Sequence, residues 1–289
     1  MNRKPERFTR FVAIDWSGAK GARHKGIAVA ICAEGRAAPT LVRPPEKIWS
    51  RSAVAGWLLE QTAREPTLFG FDFSFAPPFI ARGAYLPGDA TPPTAPDFWA
   101  YVDGACPDGD LGAASFLETR HRRHFYFGKA DGIKADYMHL RQCEAHYNAG
   151  GGGKPSTVYD AIGAAQVAKA SFAGMRLLHA VHPHVPIWPF DPLPTSGSLI
   201  VEIYTSIAAR AAGRPKGRTK VRDGVALDAA LAVLESNPHL PLAQYDDHST
   251  DAIMTAAWIR RAAQEPAYGT PALLSSEIAA SEGWTFGVI

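Results

Sequence analysis

The chain has 289 residues, with 30 Lys and Arg against 28 Asp and Glu, a formal charge of +2. That length buries a sizeable core as one large domain or two small ones. The near balance of charge excludes strong global steering and leaves open both a nucleic-acid partner and an acidic small substrate. Cys32, Cys106 and Cys143 are widely spaced with no CxxC pair, which argues against a disulfide framework and a cysteine zinc site. The N-terminus is charged and no apolar run reaches membrane-spanning length. A cytoplasmic protein with reduced thiols is expected.

Phe8–Ala19 (FTRFVAIDWSGA) reads as a short apolar strand that ends on a carboxylate, Asp15, and turns at once through Ser17 and Gly18. A charge at the end of a core strand is costly unless something compensates it. A metal ion or a phosphate–metal pair would do so, and so would an Asp-turn in which the side chain caps its own backbone. Gly26–Cys32 and Thr40–Arg43 then read as two further strands of an antiparallel meander. Ser50–Arg64 is an amphipathic helix, with Ser50 or Ser52 as its cap and Val54, Trp57 and Leu58 on one stripe. Thr67–Phe75 alternates strictly, Phe69, Phe71, Phe73 and Phe75 on one face and Gly70, Asp72 and Ser74 on the other, until Pro77 and Pro78 end it.

From Ala76 to about Pro155 proline punctuates the chain, and only Pro96–Asp103 and Ile133–Tyr147 read as regular helices. This stretch is expected to be an insertion that covers one end of the core. Tyr159–His182 is a helix rich in Ala and Gly, and Ser198–Tyr204 (SLIVEIY) a buried strand. Helices follow over Ser206–Ala212, Gly224–Glu235 and Asp247–Gln264, with a late strand over Trp284–Ile289. This order predicts one α/β domain over residues 1–289, a mixed sheet with helices on both faces and a large insertion (76–155) after the fourth strand. It matches the order of the ribonuclease H-like fold, by analogy.

That arrangement would gather the acidic residues. Asp15 ends the first strand, Asp72 lies on the non-Phe face of a strand expected beside it, and strands in a sheet are about 4.8 Å apart. Glu202 interrupts the late apolar strand, and Asp247 and Asp251 share one face of the C-terminal helix with His248. Like charges brought together call for a cation, and Mg²⁺ or Mn²⁺ takes carboxylate oxygens while keeping waters and substrate phosphate. Two such ions would activate a water and stabilise the leaving oxygen of a phosphodiester. In that scheme Asp15 bridges, Asp72 and Asp251 hold one ion each, and Asp247, His248 and Glu202 are candidates for a further ligand or for water orientation. Ordinary roles remain open for each residue alone: Asp246 and Asp247 as helix caps, Glu202 as the partner of an Arg.

The runs IDWSGA, GFDFSFAPP, RQCEAHY, GKPSTVYDAIGAAQVAKASFAGMRLLHAV, WPFD, VEIY and DDHSTDAIMTAAW resemble domain-of-unknown-function family 429, described as an RNase H-like predicted nuclease. The resemblance spans about residues 8–264, and Trp188-Pro189-Phe190-Asp191 is its distinctive element. It implies that the acidic pattern falls on Asp15, Asp72, Glu202 and Asp251. It implies that Arg141, Glu144 and the altered Lys154-Pro155-Ser156 are the family's basic and polar elements, expected to contact substrate. Two departures are visible. The family's Glu-Val-X-Pro is Glu202-Ile203-Tyr204-Thr205 here, and the terminal acidic pair is spaced by four unless His248 takes the nearer slot.

Other signals weigh less. Gly150–Gly153 with Lys154 lacks the glycine, the hydroxyl residue and the preceding strand of a P-loop. Arg120–Lys129 (RHRRHFYFGK), with Arg122, mixes base and aromatic as nucleic-acid grips do. Arg214, Lys216, Arg218, Lys220 and Arg222 would track a phosphate backbone. His179, His182 and His184 close a helix, an ordinary place for histidine. The leading expectation is a metal-dependent nuclease acting on nucleic acid. The alternatives are a catalytically silent RNase H-like binding module for nucleic acid or a metabolite and, last, an actin-like phosphotransferase.

Overall fold

Alternation of apolar residues builds a sheet buried on both faces. The computed structural model describes residues 7–153, 155–162, 167–217 and 219–289. Among them β1 (Arg10–Asp15), β2 (Ala28–Ala33), β3 (Thr40–Leu41), β4 (Thr67–Asp72), β5 (Ile187–Trp188) and β6 (Leu199–Glu202) form one mixed sheet in the order β3-β2-β1-β4-β6-β5. The first three strands are the expected antiparallel meander, and β4, β6 and β5 run parallel to β1. Parallel strands need crossovers, which the helices supply.

Odd and even strand positions feed two separate cores. Val12, Ile14, Phe69, Phe71 and Ile200 pack on one face with Val54 and Leu58 of α1 (Arg51–Thr62). The same core takes the helices α2 (Ala95–Gly104) and α4 (Val167–Val181) through Phe98, Trp99, Phe172 and Met175. Phe11, Ala13, Leu68, Leu199 and Val201 face the other way, onto α5 (Thr205–Ala211), α6 (Gly224–Val233) and above all α7 (Asp247–Ala262). Ser50 is the cap of α1, its Oγ accepting from the Ala53 amide at 3.0 Å. Position 70 shows how closely α7 sits. A Cβ there would lie 2.6 Å from the Ile259 side chain and 2.7 Å from that of Ile203.

Residues 76–155 carry α2, α3 (Gln142–Ala149) and several single helical turns, and their aromatics Phe98, Phe116 and Phe125 join the core under β1 and β4. The helix expected over Ile133–Tyr147 divides into a turn at Lys134–Tyr137 and α3. Arg141 stands extended between them because its guanidinium is drawn into a buried ion network described below. Residues Trp284–Ile289 form no strand. Thr285 makes one bridge to Glu202, and Gly287, at φ +94°, turns the chain so that Trp284 Nε1 donates to the Val288 carbonyl. Two short helices, α8 (Pro266–Gly269) and α9 (Ser276–Ser281), and the two-residue β5 had no periodicity long enough to be read. Among the described residues no helix is long and apolar enough to cross a membrane.

Candidate functional site

The pairing of β1 with β4 sets Asp15 directly against Asp72, at the carboxyl ends of two adjacent parallel strands. Both side chains fall on the parity of Phe11, Ala13 and Leu68, and so on the α7 face. The start of α7 is fixed by Asp246, whose carboxylate accepts from the Ser249 amide at 2.9 Å. One turn of helix then brings His248 and Asp251 to the strand ends. His248 Nδ1 lies 3.1 Å from Asp15 Oδ2, and Thr205 Oγ1 donates to Asp72 Oδ2 at 3.1 Å. Lys220 Nζ donates to Asp251 Oδ2 at 2.6 Å and lies 3.9 Å from Asp247, which also pairs with Arg222 at 3.1 Å.

The electrostatics follow from crowding. Burial, and then the charges of Asp15 and Asp251, push the Asp72 carboxyl up to about 8. Burial also raises Asp251, against the pull of Lys220, with Asp15 and Asp247 adding to the rise. The hydrogen bond to Asp15 raises His248 against desolvation. Burial and crowding thus work against the charged form of Asp72, while the Lys220 ammonium meets Asp251. This is a set of oxygen donors short of positive charge.

Glu202 is not part of it. It pairs with Phe71, one position out of phase with Asp72, so its side chain points to the opposite face of the sheet. There it is buried and fully engaged. Arg141 Nη1 donates at 2.7 Å, the Phe75 amide at 2.7 Å and Thr285 Oγ1 at 2.6 Å. The arginine partnership left open from the sequence is the one observed. Arg141 and Glu144 belong to the same buried network, Arg141 Nε donating to Glu144 at 2.9 Å, so neither is free for substrate. Arg122 pairs with Asp131 at 2.7 Å and lies over the Phe127 ring. Phe125 and Tyr126 are buried, which leaves half-buried Phe127, under Arg122, as the aromatic of the 120–129 run that reaches the surface. Lys154 and Arg218 lie outside the described residues. Of the remaining basic loop, Lys216 donates to the Gly151 carbonyl and Lys220 and Arg222 turn onto the acidic residues. His182 pairs with Asp191, and His179 and His184 are exposed.

Lys220, read from the sequence as part of an alternating basic run, turns onto Asp251 instead, and one feature escaped the sequence reading. Asp89, His121 and His124 meet as the one set of three among the described residues whose ligand-type atoms all lie within 4.8 Å of one another, a spacing the oxygens of Asp15, Asp72 and Asp251 do not reach. The only trace in the sequence is His-x-x-His inside a run read for its charge. A cavity of about 400 Å³ opens beyond the end of β1, lined by Gly18–Ala22, Arg51, Asp108–Asp110 and Lys169. Comparison with known protein families, curated proteins and solved structures gives no match for this chain.

Proposed function

We propose that the chain is a metal-dependent phosphodiester hydrolase acting on nucleic acid, an RNase H-like nuclease of the kind the sequence resemblance to family 429 implies. One observation carries the reading: Asp15 and Asp72 stand opposed on adjacent strands, and burial, then the charges of Asp15 and of Asp251 from α7, raise the Asp72 carboxyl. The sheet order supports it, since an antiparallel meander with β4 added parallel to β1 is the order expected of that fold. The donor chemistry suits a hard divalent cation, since all three are carboxylates, although His248 and Lys220 now engage two of them and the three would have to draw together around an ion. Mg²⁺ or Mn²⁺, held by Asp15, Asp72 and Asp251, would supply a charge that polarises phosphate and acidifies water.

The chain's own groups then have definite tasks. Thr205 orients Asp72, and His248 orients Asp15. Lys220, released from Asp251, is placed to meet a phosphate oxygen.

Melting temperature measured against rising Mn²⁺ is expected to climb in the wild type and not in Asp15→Asn. Single-stranded, duplex and hybrid substrates are expected to be cleaved by the wild type alone. No thermal shift and no cleavage would overturn the proposal, as would equal cleavage by Asp15→Asn. The Lys220–Asp251 ion pair favours a second reading, a binding module without turnover. Nucleic-acid binding with no cleavage at saturating Mn²⁺ would select it.

A further inference from the structure

The insertion holds a second cluster, independent of the carboxylate site. A tight turn ending at Asp89, whose amide donates to the Leu86 carbonyl at 2.9 Å, presents its carboxylate to the segment 121–124. That segment is one turn of 3₁₀ helix, closed by the His124 amide on the His121 carbonyl at 3.0 Å. Three residues per turn put positions i and i+3 on the same side, so both imidazoles converge on one point. His121 Nδ1 and His124 Nε2 each lie 2.8 Å from the same oxygen, Asp89 Oδ2. The other carboxylate oxygen is held by Arg123, and His121 Nε2 is held by Tyr101 Oη at 3.0 Å.

We propose that Asp89, His121 and His124 bind a borderline divalent transition ion, of which Zn²⁺ is the type. Two imidazole nitrogens and one carboxylate oxygen are a known donor set for such an ion, leaving one position for water. The supporting contacts are those metal ligands ordinarily have. Tyr101 fixes the His121 ring from its far nitrogen, and Arg123 fixes the carboxylate without using Oδ2. Both histidine side chains are buried, 6% and 8% exposed, while Asp89 at 23% leaves a way in.

Binding balances without loss of a proton: the ion takes neutral His121 as the Nε2–H tautomer, which donates to Tyr101 Oη, and neutral His124 as the Nδ1–H tautomer. The Arg123 Nε that donates to His124 Nε2 at 3.3 Å must let go of that nitrogen. The ion would tie the loop at 89 to the turn at 121–124, in a region built largely from single helical turns that a metal clip would stiffen.

The test uses untagged full-length protein stripped with a chelator and titrated with Co²⁺. One equivalent is expected to bind with visible absorption bands and to be displaced by Zn²⁺. Asp89→Asn and His124→Gln are expected to weaken binding at least 100-fold, and Tyr101→Phe about 10-fold. The double variant Asp15→Asn/Asp251→Asn is expected to bind as the wild type does, which separates this site from the proposed nuclease centre. Absence of uptake by the wild type at micromolar Co²⁺ would overturn the proposal, leaving the cluster a hydrogen-bonded knot. So would bands lost in the double variant and retained in His124→Gln. Should His124→Gln fail to fold, X-ray absorption of the wild-type complex decides the matter: a shell without imidazole scattering overturns the assignment.

Discussion

At the scale of single residues, the two faces of the sheet give acidic side chains opposite duties. Glu202 is a structural anion for Arg141, which is 1% exposed. Glu202→Gln leaves that guanidinium short of charge and is expected to cost about 3–5 kcal/mol in chemical denaturation, with cleavage per folded molecule unchanged. Asp72 behaves in the reverse sense. Its carboxyl is raised from 3.8 to about 8 in the folded chain, so between those values the native state holds a proton that the unfolded state has released. Stability of the metal-free protein therefore falls as pH rises through that window and levels off above about 8. Asp72→Asn is expected to remove this slope and to raise the melting temperature at pH 8 by about 2–4 °C or more. The same substitution is expected to abolish stabilisation by Mn²⁺.

At the scale of elements, strict alternation made Asp72 legible: four phenylalanines on one side of Thr67–Phe75 leave the carboxylate on the other. The same logic misplaced Glu202, because a strand read by itself carries no register. Leu199 pairs with Leu68, and a shift of one residue would have put Glu202 beside Asp72. Arg141 and Glu144 were visible as polar residues of a helix, yet their burial is decided by a strand some sixty positions away. Helices with a long apolar stripe came through, whereas β5, of two residues, did not. The loop that leaves β1 depends on one missing side chain. A Cβ at Gly18 would lie 2.2 Å from the backbone nitrogen of Ala170 in α4, and backbone does not step aside. Gly18→Ala is expected to destabilise by about 1–3 kcal/mol and to weaken Mn²⁺ binding at Asp15, read by thermal shift.

At the scale of the whole molecule, Glu282 joins regions that the sequence keeps far apart. It is completely buried, and it accepts from the amides of Phe79 at 2.7 Å, Ile80 at 2.8 Å and Gln142 at 2.7 Å. The two ends of the insertion are thus fastened to the segment that also bridges to β6. Glu282→Ala strands three amide donors, each worth about 1–3 kcal/mol when left unsatisfied. It is expected to speed hydrogen exchange at residues 79, 80 and 142 well before β1 and β4 exchange.

The close seating of α7 on the sheet bears on the ion proposed for the carboxylate site. Because position 70 has no side chain, the layer carrying Asp251 rests as near as two backbones with intervening isoleucines allow. Thickening that contact would hold the helix off and widen the bite of the carboxylates without altering a single one of them. Mg²⁺ wants oxygens at about 2.0–2.1 Å and tolerates little else, whereas Ca²⁺ accepts about 2.3–2.6 Å. On the proposed metal reading, Gly70→Ala is accordingly expected to shift preference from the smaller ion toward the larger, measured as the ratio of their half-saturation points in a thermal titration, so that ionic radius would be selected from inside the hydrophobic core.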